Sequence, residues 1–177
     1  MDIENPINAF DSSSDHNVWG DDIERILKDI LFNSSLMSEH HKEEHLKYDR
    51  RLKWYKLPII IASGINSIIS VSLNQYIEQS YVSVINCLIS LTISIIGSIE
   101  LFLQINKKSD EEAKSYKEFY NLSLKINNLL KLEHEHRTEE PKIFLNDVIN
   151  EYQTIFNESQ INGLGLDDKL INLKLTL

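Results

Sequence analysis

The sequence predicts an all-α integral membrane protein: a two-helix transmembrane hairpin flanked by amphipathic cytoplasmic helices. Three observations carry that expectation. Between Lys56 and Lys107 lie 50 residues with only two charges, Glu78 and Glu100, where the chain's overall 25% charged content leads one to expect about a dozen. Residues 57–77 and 79–99 are each uncharged for 21 positions, and a helix of that length rises about 31 Å, enough for a hydrocarbon core of ~30 Å. Lys and Arg crowd the outer flanks of both runs and are missing from the connection between them. The mean hydropathy of −0.26 is therefore an average over two unlike materials.

Along the chain, residues 1–17 are polar and acidic and are expected to form a disordered lead-in. The first 24 residues hold seven acidic side chains and no Lys or Arg. That is the reverse of a signal-peptide n-region, so the internal apolar segments are expected to direct insertion. A two-transmembrane domain is expected over residues 18–160, with cytoplasmic helices at about 20–53, 109–137 and 141–158 and spans at about 57–77 and 81–105. From Trp19, the apolar residues Ile23, Ile26, Leu27, Ile30 and Leu31 recur at helical spacing. Asn33-Ser34-Ser35 weakens that helix, and Ser38 suits the cap of a second stretch running through His45 and Tyr48. Pro58 fits the first turn of the first span, where its missing N–H costs nothing.

Beyond the second span, Ser109-Asp110-Glu111-Glu112 fits a capping box, or equally a point where one long helix leaves the bilayer. Tyr116, Phe119, Ile126 and Leu130 mark an apolar stripe. Pro141 suits the first turn of a last helix carrying Phe144, Leu145, Val148, Ile149, Tyr152 and Phe156. The C-terminal tail, 161–177, carries no assignment.

Orientation follows from the charges. Lys42, Lys47, Arg50, Arg51, Lys53 and Lys56 precede the first run, and Lys107, Lys108, Lys114 and Lys117 follow the second. Basic residues near span ends resist translocation, so both termini are expected in the cytoplasm, with Arg50, Arg51, Lys53, Lys56, Lys107 and Lys108 setting the topology. Trp54 and Tyr55 at one end, with Tyr76 and Tyr81 at the other, occupy interfacial positions. The rival is a soluble protein with a buried helical hairpin. It needs a thick protein coat on every side, and the charged remainder supplies too little. Sequons at Asn33, Asn121 and Asn157 fall in segments placed in the cytoplasm and are expected to be unmodified.

Several function classes are disfavoured. The net charge of −9 argues against nucleic-acid binding, which needs clustered Lys and Arg. Cys87 is the single cysteine, so no intrachain disulfide framework forms. His41-Lys42-Glu43-Glu44-His45 matches the H-x-x-E-H pattern of inverted zinc peptidases, with His41 and His45 on one helix face. Five residues beside a third histidine, His40, read better as a solvated polar face, and no metal site is expected. His134 and His136 lie in a charged run without ligand spacing. There is no Gly-rich phosphate loop or nucleophile elbow, and neither catalysis nor a cofactor is expected.

The polar residues of the spans are candidates for packing. Asn86, Ser90, Ser94 and Ser98 recur every four residues with Gly97 beside them; Ser63, Ser67, Ser70 and Asn74 recur in the first span with Gly64 nearby. Small residues let helix backbones approach, and Asn can hydrogen-bond across the interface. Two other readings stay open: a polar face lining an aqueous path in an oligomer, and hydroxyls bonding their own helix's carbonyls. Glu100 is the intramembrane ionisable residue. Folding the hairpin about residue 78 sets it level with Lys56, which favours an interfacial ion pair.

The order of these features resembles the SLATT family, the two-transmembrane effector domains of bacterial conflict systems, with similar proteins in nucleocytoplasmic large DNA viruses. The likeness covers about residues 19–160. It rests on Trp19, on Leu57-Pro58-Ile59-Ile60-Ile61 with Ser63, and on Ile96-Gly97 with Glu100. It continues in Lys107-Lys108-Ser109, Phe144-Leu145 and Glu151-Tyr152. Viral members carry a Gly and an aromatic late in the first span, and Ser70 to Asn74 holds neither. The resemblance implies a homo-oligomer in a lipid bilayer, acting as a pore-forming or membrane-perturbing effector, with a separate sensor protein as trigger. The alternative is a non-conducting structural membrane protein of a virion or virus-modified host membrane.

Overall fold

The computed structural model describes residues 19–72, 76–159 and 170–171. The expected lead-in, Asn74 and most of the tail lie outside the described residues. Among these residues every regular element is helical: α1 (Asp21–Ser72), α2 (Gln79–Leu103), α3 (Ile105–Leu130), a single 3-10 turn (His134–His136) and α4 (Pro141–Glu158). They group into two compact units.

The first unit, a three-helix bundle, takes α1 up to Leu36, α3 from Phe119, and α4. Leu27 and Ile30 on α1, Phe119, Leu122 and Ile126 on α3, and Phe144 and Val148 on α4 are buried. Their three- and four-residue spacing makes one apolar stripe per helix. Trp19 packs edge-on against Phe144 with centroids 6.1 Å apart, and Phe119 against Tyr152 at 6.0 Å. Lys125 on α3 bonds Glu151 on α4 at 2.8 Å.

The second unit, running from Met37 to Glu118, is an antiparallel hairpin. α1 descends to a tight turn at Tyr76–Glu78; there Tyr81 N–H donates to the Glu78 carbonyl at 3.0 Å, opening α2. The cross-helix contacts run antiparallel. Ser70 meets Asn86 and Asn66 meets Ser90 in one register, and beyond Gln104 the pairing slips by two to three residues, where His45 meets Ser109 and His41 meets Glu112.

Four boundary expectations are corrected. The cytoplasmic helix at 20–53 and the first span are one helix, so Pro58 sits inside α1 rather than in a first turn. Asn33-Ser34-Ser35 does not break α1, because Asn33 and Ser34 lie on the buried stripe with Ile30 and Met37. Ser109 lies within α3, where it caps nothing. The break falls instead at Gln104, whose left-handed backbone (φ 51°, ψ 35°) ends α2 with its N–H on the Leu101 carbonyl. A non-glycine residue there costs about 1–2 kcal/mol. α3 then runs to Leu130, short of the expected 137.

Both α1 and the α2–α3 stretch contain a window long and apolar enough to cross a membrane, with mean hydropathies of 1.3 and 2.1. Neither window is covered by protein. Ile60, Ile68, Val71, Leu88, Leu91 and Ile95 are all more than half exposed. Each such side chain forfeits about 1.5–3 kcal/mol if left in water, so the whole surface amounts to tens of kcal/mol. A buried-core hairpin is not what the chain builds.

Candidate functional site

The seam of the hairpin's apolar end is set by spacing. On α1 the half-buried residues are Ile59, Ala62, Asn66, Ile69 and Ser70; on α2, Val82 is buried, while Asn86, Ile89, Ile93, Ile96, Gly97 and Glu100 are half-buried. Alternating steps of three and four keep a stripe facing one partner helix. A strict step of four advances 400°, drifting ~40° each time. The Ser90, Ser94 and Ser98 series therefore winds away from the seam, with Ser90 still at its edge, and all three are exposed.

That drift corrects the packing expectation. Of its residues, Ser70, Asn86 and Ser90 do bridge the helices. Asn86 Nδ2 donates to Ser70 Oγ at 2.9 Å, and Asn66 Nδ2 reaches Ser90 Oγ at 3.4 Å. Ser70 Oγ gives its own hydrogen to the Asn66 carbonyl at 2.8 Å, which fixes the Asn86 amide as donor. Asn66 was missed. Its signal was present in the three-four series with Ile59, Ala62 and Ile69. Among the described residues, the Oδ1 atoms of Asn66 and Asn86 are buried and have no hydrogen-bond partner.

Ser63, Gly64, Ser67, Ser94 and Ser98 face outward, and Gly97 is half-buried. Ser63 Oγ donates to the Ile59 carbonyl at 2.7 Å, Ser67 to Ser63 at 3.0 Å and Ser98 to Ser94 at 2.7 Å. These hydroxyls are satisfied within their own helix. A Cβ added at Gly64 or Gly97 would meet nothing within 4 Å, so neither glycine brings the two helices together. Glu100 and Lys56 stand at one level of the hairpin and yet form no ion pair within the described residues. Lys56 is exposed, whereas Glu100 turns half into the seam. Arg50, Arg51, Lys53, Lys56, Lys107 and Lys108 are all exposed at the end of the hairpin away from the turn. Lys53 pairs with Asp49 at 2.7 Å and Lys107 with Glu111 at 3.6 Å.

Farther from the turn the seam becomes polar and closed. His41 is fully buried and its Nδ1 lies 2.5 Å from Oε2 of Glu112, itself 4% exposed. His45 Nδ1 meets the Ser109 carbonyl at 2.9 Å, and Ser38 Oγ donates to the Tyr116 carbonyl at 3.3 Å. The solvated-face reading of His41 and His45 is thus corrected. Both reach across to α3 instead of into water, each with its own partner. Burial, and then the neighbouring His41, push the His40 imidazole below its usual range. Glu112, read from sequence only as the end of a capping box, instead lies across the hairpin from His41.

In the bundle, Arg137 is buried over the face of Trp19, 4.8 Å from the ring centroid. Its Nη1 donates to Glu24 at 2.7 Å and its Nε to the Leu132 carbonyl at 3.0 Å. His134 Nε2 joins Glu24 at 2.8 Å. Arg137 and His134 hold the Glu24 carboxyl down at about 2. These contacts tie the end of α3 to the start of α1 and explain the charged run that had no sequence rationale.

No protein-family model and no solved structure matches the chain. It is similar to uncharacterized protein VP11 of Micromonas pusilla reovirus (isolate Netherlands/2005), with 23% identity over 125 residues. The matched stretch makes up 71% of this chain and 65% of that protein's length.

Proposed function

We propose that this chain is a two-span membrane protein whose hairpins self-associate and perturb the bilayer, with both ends of the hairpin in the cytoplasm. The observation that carries the reading is the uncovered apolar surface of α1's last turns and α2, bounded by exposed Lys and Arg at one end and none at the turn. Bilayer hydrocarbon satisfies that surface, and the basic flanks keep their end on the cytoplasmic side. The resemblance to SLATT effectors supports the membrane-perturbing activity. The likeness to a reovirus protein supports a viral setting, in a host or virion membrane.

The second reading, a non-conducting structural membrane protein, draws on the hydroxyls of Ser63, Ser67, Thr92 and Ser98. They are engaged with their own helix carbonyls and have no hydrogen left to offer a water column. Purified protein reconstituted into planar bilayers separates the two. Discrete conductance steps that scale with protein concentration support the first reading. Stable insertion, shown by flotation with liposomes, together with silent bilayers supports the second. Failure to float with liposomes contradicts both.

A further inference from the structure

Asn33-Ser34-Ser35 puts three weak helix formers in a row inside a 52-residue helix. Their side chains compete for backbone hydrogen bonds, which gives this stretch of α1 little intrinsic reason to stay helical. Asn33 is only 2% exposed, and a buried amide without partners is costly. Its partners come from far along the chain. Nδ2 donates to the Ile171 carbonyl at 2.9 Å, and the Ile171 N–H donates to Oδ1 at 2.8 Å. Both polar atoms of the amide are thereby used on the backbone of one residue, as a neighbouring β-strand would use them. The Tyr152 hydroxyl also bonds Asn33. Next to it, Ser34 Oγ is buried with no partner among the described residues.

We propose that Asn33 is a docking site for the backbone of Ile171, and that this contact is a latch keeping α1 helical across residues 33–35. With the segment docked, the amide is satisfied and α1 runs unbroken. Without it, the amide keeps only the Tyr152 hydroxyl, its remaining polar atoms seek local backbone partners, and the helix opens there. The site reads backbone and ignores the side chain at 171. Nothing in this depends on where the hairpin resides.

Amide hydrogen exchange of the full chain tests the latch. Truncation after Lys169 raises exchange at residues 31–37 about tenfold, the factor expected for one lost net hydrogen bond. Ile171→Pro, which deletes the N–H but keeps the tail, raises it as well, whereas Ile171→Val leaves it unchanged. In Asn33→Leu, where no amide needs a partner, exchange at residues 31–37 is indifferent to truncation. The proposal is overturned if truncation changes exchange there by less than twofold, or if Asn33→Leu remains as sensitive to truncation as the natural chain. A uniform rise that includes residues 85–95 also overturns it, since that is general destabilisation and not a local latch.

Discussion

The bundle and the apolar end of the hairpin share α1 and dispose their side chains differently. In the bundle, Leu27, Phe119, Ile126 and Val148 are fully buried, while Lys28, Lys125 and Lys131 face out. In the hairpin, Ile60, Leu88 and Ile95 face out while Asn66, Asn86 and Ser70 turn inward. A helix pairs through whatever its surroundings do not satisfy. Water leaves apolar groups unsatisfied, so the bundle buries them. Under the proposed membrane reading, hydrocarbon would leave amides and hydroxyls unsatisfied, which suits an Asn86–Ser70 bond set among the seam's isoleucines and hydroxyls turned onto their own carbonyls. The difference teaches that α1, one continuous helix, carries a stretch whose apolar side is buried and a stretch whose apolar side is uncovered in succession, the second being the one the proposed membrane reading gives to lipid.

The largest effect belongs to the bundle core. Phe119→Ala removes a fully buried ring that packs on Tyr152. It is expected to cost about 3–5 kcal/mol, read as a lowered denaturant midpoint with the hairpin's helicity retained. The comparison would break if this substitution were as mild as one on an exposed face.

Next comes the hairpin's outer surface. Leu88→Lys places a charge where the account puts lipid, and is expected to cost about 2.5–3.5 kcal/mol of membrane insertion, measured as the inserted fraction in microsomes. Were this face in water, the same change at a site already 59% exposed would cost no more than ~0.5 kcal/mol and would improve solubility.

Smaller effects sharpen the boundary between the regions. Gln104→Gly relieves a left-handed backbone and is expected to stabilise the α2–α3 joint by about 1 kcal/mol; Gln104→Val, with a branched Cβ, should weaken it. Thermal unfolding in detergent would show the sign. Acidification addresses the closed polar part of the seam. His40 is held below its ordinary value of 6.5, so the folded state resists the proton that the unfolded chain accepts. Stability present above pH 6.5 therefore falls as the pH drops below it, and His40→Gln should flatten that slope. Glu24 responds lower. Its contribution, intact above 4.5, disappears as the pH falls toward about 2.

The smallest effect lies within the seam. Asn86→Leu loses one interhelical bond, worth about 0.6 kcal/mol in membranes, but also removes a buried unpartnered oxygen. Little net change in hairpin spacing by spin-label distances is expected, and none for Ser94→Leu on the outer face. A large separation in the Ser94→Leu chain would return that serine to the interface.

The all-helical class and the two apolar helices were legible because a long charge-free run must be either a span or a helix sheathed in protein, and both are helical. Pro141 opening α4 was legible from its position just ahead of a new apolar stripe. The continuity of α1 was not, since Asn33 and Ser34 look like a break until a partner from residue 171 is known. The same holds for His41 and Glu112, which are 71 positions apart and become neighbours only through the hairpin register. Spacing did contain the seam, but a four-residue repeat of serines stood out more than the three-four series that carries Asn66 and Asn86. Side chains that bond far along the chain leave no local trace.

Nitroxide labels at Leu88, Ile95 and Glu78, placed one at a time in liposome-reconstituted protein, test the central claim most directly. If the outer face of α2 meets lipid, relaxation at Leu88 and Ile95 is enhanced by oxygen and barely by a water-soluble nickel chelate, with the order reversed at Glu78 in the turn. Nickel-dominated relaxation at Leu88 and Ile95 would put that face in water and contradict the membrane hairpin.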